Sequence, residues 1–443
     1  MHVAIAGAGP CGLGCARQLE RLGHRDWTIF EAAPRAGGLA ASVVDPAGFT
    51  WDLGGHVVFS HYGEFDLLLE EVMGEDIHRH DRSSFIRYED RWVPYPFQNN
   101  LRHLPEDVID ECLGGLAAAS GAPASSDFGT WMEGTFGSGI TRHFMRPYNF
   151  KVWATAPEEM SATWIAERVS VIDYERVARN VRTGEDDVAW GPNNTFVFPS
   201  VGGTGEIYRR LSETLADRIH YASEVIRIDA RQRRLRLADG TEREYDALVS
   251  TMPLDKLVQR IADAPPQLLD ASHDLRHNNV YMVGVGYATP LADDKSWMYF
   301  PQDHAPFYRA TNFAKYAAAN VPEADTNRYC AYMTETSYSD VKPEPRTGLE
   351  ERVEAGLRAA GVVEGRPEVV SIHVEDIPYA YPVPTLGRDR ALETIQPWLT
   401  ERSIFSRGRF GSWRYEIGNM DHAVKMGVDV ARRIVTGADE TLF

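Results

Sequence analysis

The chain has 443 residues, of which 43% are hydrophobic and 25% charged, a balance typical of a folded globular protein rather than a disordered one. Its 46 Lys and Arg against 64 Asp and Glu give a formal charge of -18, which argues against broad electrostatic adhesion to nucleic acid or anionic lipid. An anionic substrate would therefore need a local positive pocket.

The four cysteines contain no CxxC pair, which predicts a reducing compartment, here the cytoplasm, and no disulfide or structural zinc. The apolar start of the chain lacks the Lys or Arg of a signal peptide. No later stretch has the roughly 18 uninterrupted apolar residues of a membrane span. At about 150 residues per domain, the length predicts about three structural units.

The first 31 residues have the pattern of a βαβ unit. The continuous apolar run 3–6 predicts a buried parallel strand, and apolar residues at helical spacing follow until Gly23. A second apolar strand, 27–30, ends in Glu31. The glycines between the first strand and the helix are Gly7, Gly9 and Gly12.

This GxGxxG motif predicts a dinucleotide site. The first glycine makes a tight turn, the second lets the backbone approach a pyrophosphate, and the third allows close helix packing. Glu31 stands where a carboxylate can accept hydrogen bonds from a ribose. The alternative is a structural turn in an α/β unit without a nucleotide.

A second glycine cluster favours FAD over NAD as the dinucleotide. Gly38-Leu39 and Gly54-Gly55-His56 would let the backbone run against a flat ring system or a second phosphate. The alternative is a pair of ordinary glycine turns. Near the end of the chain, Gly418-Asn419-Met420 again places glycine just before a predicted helix, which could close over the flavin.

The rest of the chain alternates between helical and strand-like patterns. Residues from about 100 to 190 are predicted to be mostly helical, and a final helix is predicted near 420–434. Strands are predicted where β-branched and aromatic residues alternate or cluster, at 225–228, 235–237, 247–250, 280–287, within 297–313 and at 329–333.

Four long segments, 54–62, 93–100, 145–153 and 408–416, closely resemble the UDP-galactopyranose mutases of the eukaryotic type. The resemblance implies an isomerase that interconverts UDP-galactopyranose and UDP-galactofuranose without net oxidation. It also implies a covalent adduct between the sugar and N5 of reduced FAD, with NADPH or NADH as the reductant. No second GxGxxG is present, so the nicotinamide is expected to borrow the substrate pocket.

The resemblance implies an α/β fold with three parts. A Rossmann-like FAD-binding domain is expected at 1–76, 200–265 and 405–443, and a helical domain at 99–199 with a mobile loop near 182–195. An antiparallel β-sheet substrate domain is expected at 77–98 and 266–404.

The resemblance also implies the site residues. Arg168, Arg309 and His56 are expected to be catalytic, the two arginines by gripping the diphosphate through bidentate hydrogen bonds. Cofactor contacts are expected from Gly7, Gly9, Gly12, Glu31, Gly38, Leu39, Gly54, Gly55, His56, Val225, Thr251, Arg409, Gly418, Asn419 and Met420. Substrate contacts are expected from Tyr95, Phe97, Gln98, Asn149, Trp153, Arg168, Asn193, Trp297, Tyr299, Arg309, Tyr381 and Tyr415. No metal is expected.

Each assignment has a plainer alternative. Without the family, an arginine is more often a solvated charge, and a tyrosine more often half-buried core. Trp153 has two possible roles, substrate contact and helix packing. His56 is either a flavin contact or a structural histidine. The loop 190–193 is either a flap over the substrate or a surface turn. Residues 184–187 and Met420 depart from the family pattern.

Three other functions remain open from the sequence. A mutase could act on a related UDP-sugar, such as UDP-arabinopyranose or a modified galactose. The same FAD domain would serve a flavin amine-oxidase-like oxidoreductase, which would not need arginines for a diphosphate. The third alternative is a UDP-sugar-binding flavoprotein without activity. The oligomeric state is not predicted.

Overall fold

The structure, a computed structural model, describes residues 1–121, 127–165, 172–188 and 194–443. Its helices are α1 (Pro10–Arg21), α2 (Gly63–Met73), α3 (Glu106–Ala118), α4 (Phe128–Ile140), α5 (Arg146–Trp153), α6 (Tyr174–Thr183), α7 (Gly205–Glu213), α8 (Leu254–Arg260), α9 (Pro266–His273), α10 (Leu349–Ala359), α11 (Arg388–Thr400) and α12 (Met420–Thr436).

Its strands are β1 (Val3–Ala6), β2 (Trp27–Phe30), β3 (Ser42–Val44), β4 (Thr50–Asp52), β5 (Ile77–Asp81), β6 (Ser84–Tyr88), β7 (Arg91–Pro94), β8 (Thr195–Pro199), β9 (Ile219–His220), β10 (Val225–Asp229), β11 (Arg234–Leu237), β12 (Glu242–Glu244), β13 (Ala247–Ser250), β14 (His277–Tyr287), β15 (Trp297–Tyr299), β16 (Arg309–Asn312), β17 (Cys330–Tyr338), β18 (Val369–Pro382) and β19 (Ile404–Ser406).

A five-stranded parallel sheet is built from distant parts of the chain, in the order β19-β13-β1-β2-β9. All four residues of β1 are buried, as its apolar run predicts for a central parallel strand. The predicted βαβ opening is confirmed, with β1 and β2 at the predicted residues and α1 between them. Strand β13 is also confirmed at 247–250.

The first and last helices cross in backbone contact through glycines. A Cβ atom on Gly14 of α1 would lie 3.0 Å from the carbonyl oxygen of Val424, and a Cβ on Gly427 of α12 would lie 2.2 Å from that of Cys11. Larger side chains would force the helices apart. This contact brings the amino end of α12 to the turn that follows β1.

The second large sheet has seven strands in the order β18-β14-β17-β16-β15-β6-β7. Its neighbours are antiparallel except for the parallel pair β6 and β15, so the predicted antiparallel sheet contains one parallel junction. Gly284 and Gly286 of β14 have no side chains, and Trp51 and Phe49 lie against them. The hairpin β3-β4 is thereby packed onto this sheet.

The smaller parts complete the predicted α/β class. Helices α3 and α4 lie close together because Gly139 approaches the backbone of Glu111 and Cys112. Strands β10, β11 and β12 form a three-stranded sheet, and β5 pairs with β8. Within the described ranges, no helix combines the length and the apolar character needed to cross a membrane. The domain boundaries expected from the sequence remain predictions.

Candidate functional site

The turn after β1 is shaped by two glycines that the fold requires and one that it does not. Gly7 has φ of 113°, and a Cβ there would lie 2.1 Å from Thr251 Oγ1. A Cβ on Gly12 would lie 2.0 Å from the carbonyl oxygen of Gly7. At Gly9 the nearest atoms, on Gly37 and Gly38, would be 3.9 Å away. The protein therefore leaves room at Gly9, the position expected to approach a pyrophosphate.

Glu31 is buried at the end of β2 and stabilises this turn. Its Oε2 accepts a hydrogen bond from the backbone N–H of Ala8 at 2.6 Å, and its Oε1 accepts one from Ala33 at 2.8 Å. Each carboxylate oxygen keeps a further lone pair, so the carboxylate can still accept from a ribose hydroxyl. The sequence predicted only this second role.

Other predicted cofactor residues lie around the same turn or along the sheet. Thr251, after β13, donates to the carbonyl of Ala6 at 3.1 Å. Gly38, with φ of 52°, and Leu39 open a short 3₁₀ turn beside Gly9. Val225 is buried in β10, away from solvent.

The loop 54–56 lies against the seven-stranded sheet. A Cβ on Gly55 would meet Thr311, Glu335 and Arg309 within 3.2 Å, and the Gly55 N–H donates to Glu335. His56 is in the same loop, and its Nδ1 is buried with no hydrogen-bond partner among the described residues. Burial, together with the charges of Arg409 and Arg309, lowers the pKa of His56 to about 4 against the opposing effect of Glu335. The imidazole is therefore neutral near pH 7.

Strand register places three polar residues side by side. Tyr299 of β15 pairs with Arg309 of β16, which in turn pairs with Glu335 of β17. In the next row Trp297 pairs with Thr311. Directly opposed residues on neighbouring strands share one face of the sheet, so these side chains form one surface facing the loop 54–56. We call Tyr299, Arg309, Glu335, Trp297 and Thr311 the sheet row.

Arg309 and Glu335 form a buried ion pair within the sheet row. Arg309 Nη2 donates to both carboxylate oxygens, at 2.6 and 2.7 Å, and Tyr308 Oη also donates to Glu335. Burial alone would raise the pKa of Glu335, but Arg309, Tyr308 and the Gly55 N–H outweigh it and hold the pKa below its usual value. Glu335 is therefore a carboxylate at neutral pH. No sequence motif marks this residue.

A second arginine of the site, the half-buried Arg82, has no sequence motif around it either. It precedes β6, and its guanidinium carbon lies 4.9 Å from the ring centre of Tyr95 and 5.0 Å from that of Trp297. Its Nη2 donates to Tyr299 Oη at 3.0 Å and its Nε to Ser84 at 2.9 Å. Tyr95 lies 5.4 Å from Tyr299, ring centre to ring centre. These predicted substrate residues thus surround a cation that no motif in the sequence marks.

Arg409 joins the sheet to the start of α12. Its guanidinium lies 4.9 Å from the ring of Tyr381 and 5.6 Å from that of Tyr415, and its Nη1 donates to the carbonyl of Gly418 at 2.9 Å. Trp153 is buried with its ring 4.7 Å from Tyr415. Packing of α5 thus explains Trp153 without a substrate contact.

Three further substrate residues expected from the sequence, Phe97, Gln98 and Asn149, lie beside the helices. Phe97 is fully buried and stacks on Phe144 at 4.7 Å, so its ring belongs to the core. Gln98 is buried, and Asn149 donates to the carbonyl of Met145 at 2.7 Å. Their contacts with a ligand remain predictions.

Arg168 and Asn193 lie outside the described residues, as does the predicted flap segment 190–193. The acidic segment before the flap is described. There Asp186 pairs with Arg102 and His103, each at 2.7 Å, and Asp187 pairs with Arg176. The departure from the family pattern at 184–187 is therefore a set of local ion pairs.

At the start of α12, Asn419 is the N-cap residue and Met420 the first helical residue. Asp421, which is buried, accepts hydrogen bonds from His61 Nδ1 at 2.7 Å and His422 Nδ1 at 3.0 Å. Among the described residues these three have the spacing of metal ligands. In this arrangement, however, the ligand atoms are engaged with one another.

An open cavity of about 670 Å³ lies elsewhere, lined by residues such as Met1, Asp246 and Ser403. These residues precede the strands β1, β13 and β19, so the cavity is at the amino ends of the parallel strands. The turn after β1 that contains Gly7, Gly9 and Gly12, which we call the glycine turn, is at the carboxyl ends of the strands, where ligands of such sheets bind. The cavity is therefore separate from the candidate site.

Comparisons with known proteins point to one family. The model of the flavin containing amine oxidoreductases matches residues 10–435. A crystal structure of reduced UDP-galactopyranose mutase is 39% identical with a TM-score of 0.95, covering 99% of this chain and 95% of that chain. A cyclohexylamine oxidase from Brevibacterium oxydans IH-35A is 17% identical with a TM-score of 0.69, over 98% of both chains, which shows a shared fold.

Among curated proteins, a 15-cis-phytoene desaturase from Synechococcus elongatus is 38% identical over 76 residues. That match spans 17% of this chain and 16% of the desaturase, so it is confined to a short segment.

The described residues fit FAD. Gly9 leaves room for a pyrophosphate, and the carboxylate of Glu31 can accept from a ribose. At the other end of the site, four buried polar atoms of the loop 54–56 and the sheet row lack partners among the described residues: His56 Nδ1, Arg309 Nε, Thr311 Oγ1 and Trp297 Nε1. Buried polar atoms are nearly always hydrogen-bonded, so their grouping around the loop 54–56 indicates that a bound group supplies partners.

Proposed function

The chain belongs to the flavin-containing amine oxidoreductase family and, within it, to the UDP-galactopyranose mutases, and from this premise we propose that it interconverts UDP-galactopyranose and UDP-galactofuranose. The observation that carries the proposal is the match of 39% identity and TM-score 0.95 over 99% of the chain. More distant relatives at about half that identity support only the fold.

The sheet row supports recognition of a nucleoside diphosphate sugar. A diphosphate carries about two negative charges, and planar guanidinium groups grip it with charge-assisted hydrogen bonds. Arg309 is a cation with 18% of its side chain exposed, beside the hydroxyls of Tyr299, Tyr308 and Tyr381, and Tyr308 Oη lies 3.3 Å from Tyr381 Oη. We assign Arg309 to the diphosphate, together with Arg168. The hydroxyls of Tyr299, Tyr381 and Tyr415 are assigned to its other oxygens, while the Tyr308 hydroxyl donates to Glu335.

FAD would lie between the glycine turn and the loop 54–56, and in its reduced form it supplies the nucleophile for the anomeric carbon of the sugar. The protein's part is to bind and orient. Arg309 stabilises negative charge that develops on the departing diphosphate and keeps it near the anomeric centre. His56 is neutral at pH 7, so it contributes hydrogen bonding rather than charge.

A reductant must prime the flavin, and we assign this role to NADPH or NADH. Since the sequence has only one GxGxxG motif, the nicotinamide would use the sugar-nucleotide pocket. Binding of NAD(P)H and of UDP is then mutually exclusive, which a competition titration measures.

The proposed activity is tested by incubating dithionite-reduced protein with UDP-galactopyranose and separating the products by chromatography. The proposal expects UDP-galactofuranose from the reduced protein and almost none from the oxidised protein. A panel with UDP-arabinopyranose and GDP-sugars identifies the preferred sugar. Steady oxygen uptake with amines, without isomerisation, would instead establish a flavin oxidase, and UDP binding without isomerisation would establish a binding protein.

A further inference from the structure

Glu335 is an unusual residue for a site that binds a diphosphate. Its side chain is 4% exposed, and each of its hydrogen-bond donors belongs to the candidate site. Oε1 accepts from the Gly55 N–H and from Arg309 Nη2, and Oε2 accepts from Tyr308 Oη and from Arg309 Nη2. The buried negative charge of Glu335 thus lies where the negatively charged diphosphate is expected to bind.

The ion pair occupies the nitrogen that a phosphate needs most. A guanidinium group offers two bidentate edges, Nε with Nη2 and Nη1 with Nη2, and both include Nη2. In Arg309 this atom is shared by the two oxygens of Glu335, whereas Nε is buried without a partner among the described residues. A diphosphate can therefore take a bidentate grip only by displacing Glu335 from Nη2.

Glu335 does not lose its other partners in that exchange. The Gly55 N–H and Tyr308 Oη remain as donors, and they keep the carboxylate solvated when Arg309 turns to the ligand. The carboxylate also holds Gly55 close to Arg309, with 3.2 Å between Arg309 Cζ and the position of a Cβ on Gly55. The loop 54–56 is thereby fixed while the arginine changes partner.

We propose that Glu335 is a positioning residue that holds Arg309 in the ligand-free enzyme and competes with the diphosphate of the UDP-sugar for its Nη2. This inference rests on the proposed function and adds to it an internal competitor that weakens binding of UDP. Weaker binding of the UDP portion does not by itself slow the chemical step, because binding energy that the substrate and the transition state share does not lower the barrier.

The test is the affinity of the flavin-loaded protein for UDP, measured by calorimetry in wild type and in Glu335→Gln. Competition predicts that the variant binds UDP at least ~5-fold more tightly, since a neutral amide no longer competes for the guanidinium. A purely structural role predicts weaker or unchanged binding. The matched control is Glu375→Gln, in the same sheet, whose carboxylate bonds to His373 and should leave the affinity unchanged.

Equal or weaker binding of UDP by Glu335→Gln, with wild type binding and isomerising normally, would overturn the inference and leave the proposed function intact. A wild-type protein that neither binds UDP nor isomerises UDP-galactopyranose would instead contradict the proposed function. If Glu335→Gln does not fold, a crystal structure of wild type with UDP decides. The inference requires Arg309 Nη2 on the diphosphate and Gly55 still bonded to Glu335, and an intact Arg309–Glu335 pair would refute it.

Discussion

Asp52 is a single buried carboxylate whose protonation should control stability. It accepts hydrogen bonds from Ser42 Oγ at 2.5 Å, Thr204 Oγ1 at 2.8 Å and the Thr204 N–H at 3.1 Å. Burial raises its pKa from 3.8 to about 7, although these hydrogen bonds lower it. Because the folded pKa is above the unfolded one, the stabilisation present at low pH is lost as pH rises from about 4 to about 7.

We therefore expect Asp52→Asn to remove a pH-dependent loss of stability. Urea denaturation between pH 5 and pH 8 should show that the free energy of unfolding of wild type falls as pH rises. Asp52 contributes at most about 1.4 kcal/mol per pH unit to this fall, which should therefore be smaller in the variant. Because the pKa of His56 is lowered on folding, its contribution makes the protein more stable as pH rises towards 6.5, but this contribution is the same in wild type and variant. For Asp45, burial raises the pKa but the hydrogen bonds outweigh it and hold the pKa below its usual value, so Asp45→Asn should lower the free energy of unfolding equally at both pH values. Parallel pH profiles for wild type and Asp52→Asn would contradict this expectation.

Arg309 has the clearest single-residue consequence for activity. Arg309→Ala should lower the turnover of UDP-galactopyranose by well over ~10-fold, equivalent to about 1.4 kcal/mol or more of transition-state stabilisation. Arg309→Lys keeps the charge but loses the planar fork, so it should recover only part of the rate. The exposed Arg346, paired with Glu350, provides a control in Arg346→Ala. Turnover by Arg309→Ala equal to that of wild type would remove Arg309 from its assigned role.

The limits of the sequence are visible in the same residues. Arg309 could be proposed only because its segment resembles a family, whereas Glu335 is one acid in a β-strand with no motif around it. Whether the two meet depends on the pairing of β16 with β17, and a shift of one residue would turn Glu335 to the other face. Arg82 likewise becomes recognisable only when β6 and β15 bring it beside Tyr95 and Trp297.

At the scale of elements, the glycine turn contains one glycine expected to matter for ligand binding and another required for folding. Gly9 has φ of -80° and room for a Cβ, so Gly9→Ala should fold with wild-type stability but retain at least ~10-fold less FAD, because the methyl group would occupy the pyrophosphate position. Gly12→Ala should instead destabilise the protein, since its Cβ would overlap the carbonyl of Gly7.

The measurement for the glycine turn is visible flavin absorbance per polypeptide, together with the denaturation midpoint. Gly114→Ala, in α3 with open space around it, is the control for a harmless glycine substitution. Gly9→Ala protein that is fully yellow and active would count against the assignment of this turn to a pyrophosphate.

Elements with a strong local signal were predicted well. The strands β1, β2 and β13 are short, mainly apolar runs, and burial on both faces favours that composition, so their bounds follow from the sequence. The order of the seven-stranded sheet does not, because it depends on pairings between segments far apart, such as β6 with β15. The parallel junction between these two strands was accordingly not foreseen.

At the scale of the whole molecule, the two ends of the chain complete one site. Strand β19 lies beside β13 and extends the sheet that contains β1. A Cβ on Gly408 would lie 3.0 Å from the Cβ of Cys11, at the start of α1. The segment after α12 returns to this point. There Glu440 forms a buried ion pair with Arg407, and Phe443 stacks on the same guanidinium at 3.6 Å.

The Arg407–Glu440 pair should therefore hold together the cofactor end of the molecule. Both side chains are 1% exposed, with Nε–Oε2 and Nη2–Oε1 distances of 2.5 and 2.7 Å. Glu440→Leu would leave the guanidinium of Arg407 buried without its main counterion, so we expect a loss of about 3 kcal/mol or more in the free energy of unfolding, together with weaker retention of FAD. Adding Arg407→Met removes the stranded charge and should restore part of that stability. Glu350→Gln, which breaks an exposed pair, should change stability by less than about 0.5 kcal/mol. If Glu440→Leu costs no more than Glu350→Gln, the Arg407–Glu440 pair does not hold the two ends of the chain together, and the α1–α12 contact and the pairing of β19 with β13 do.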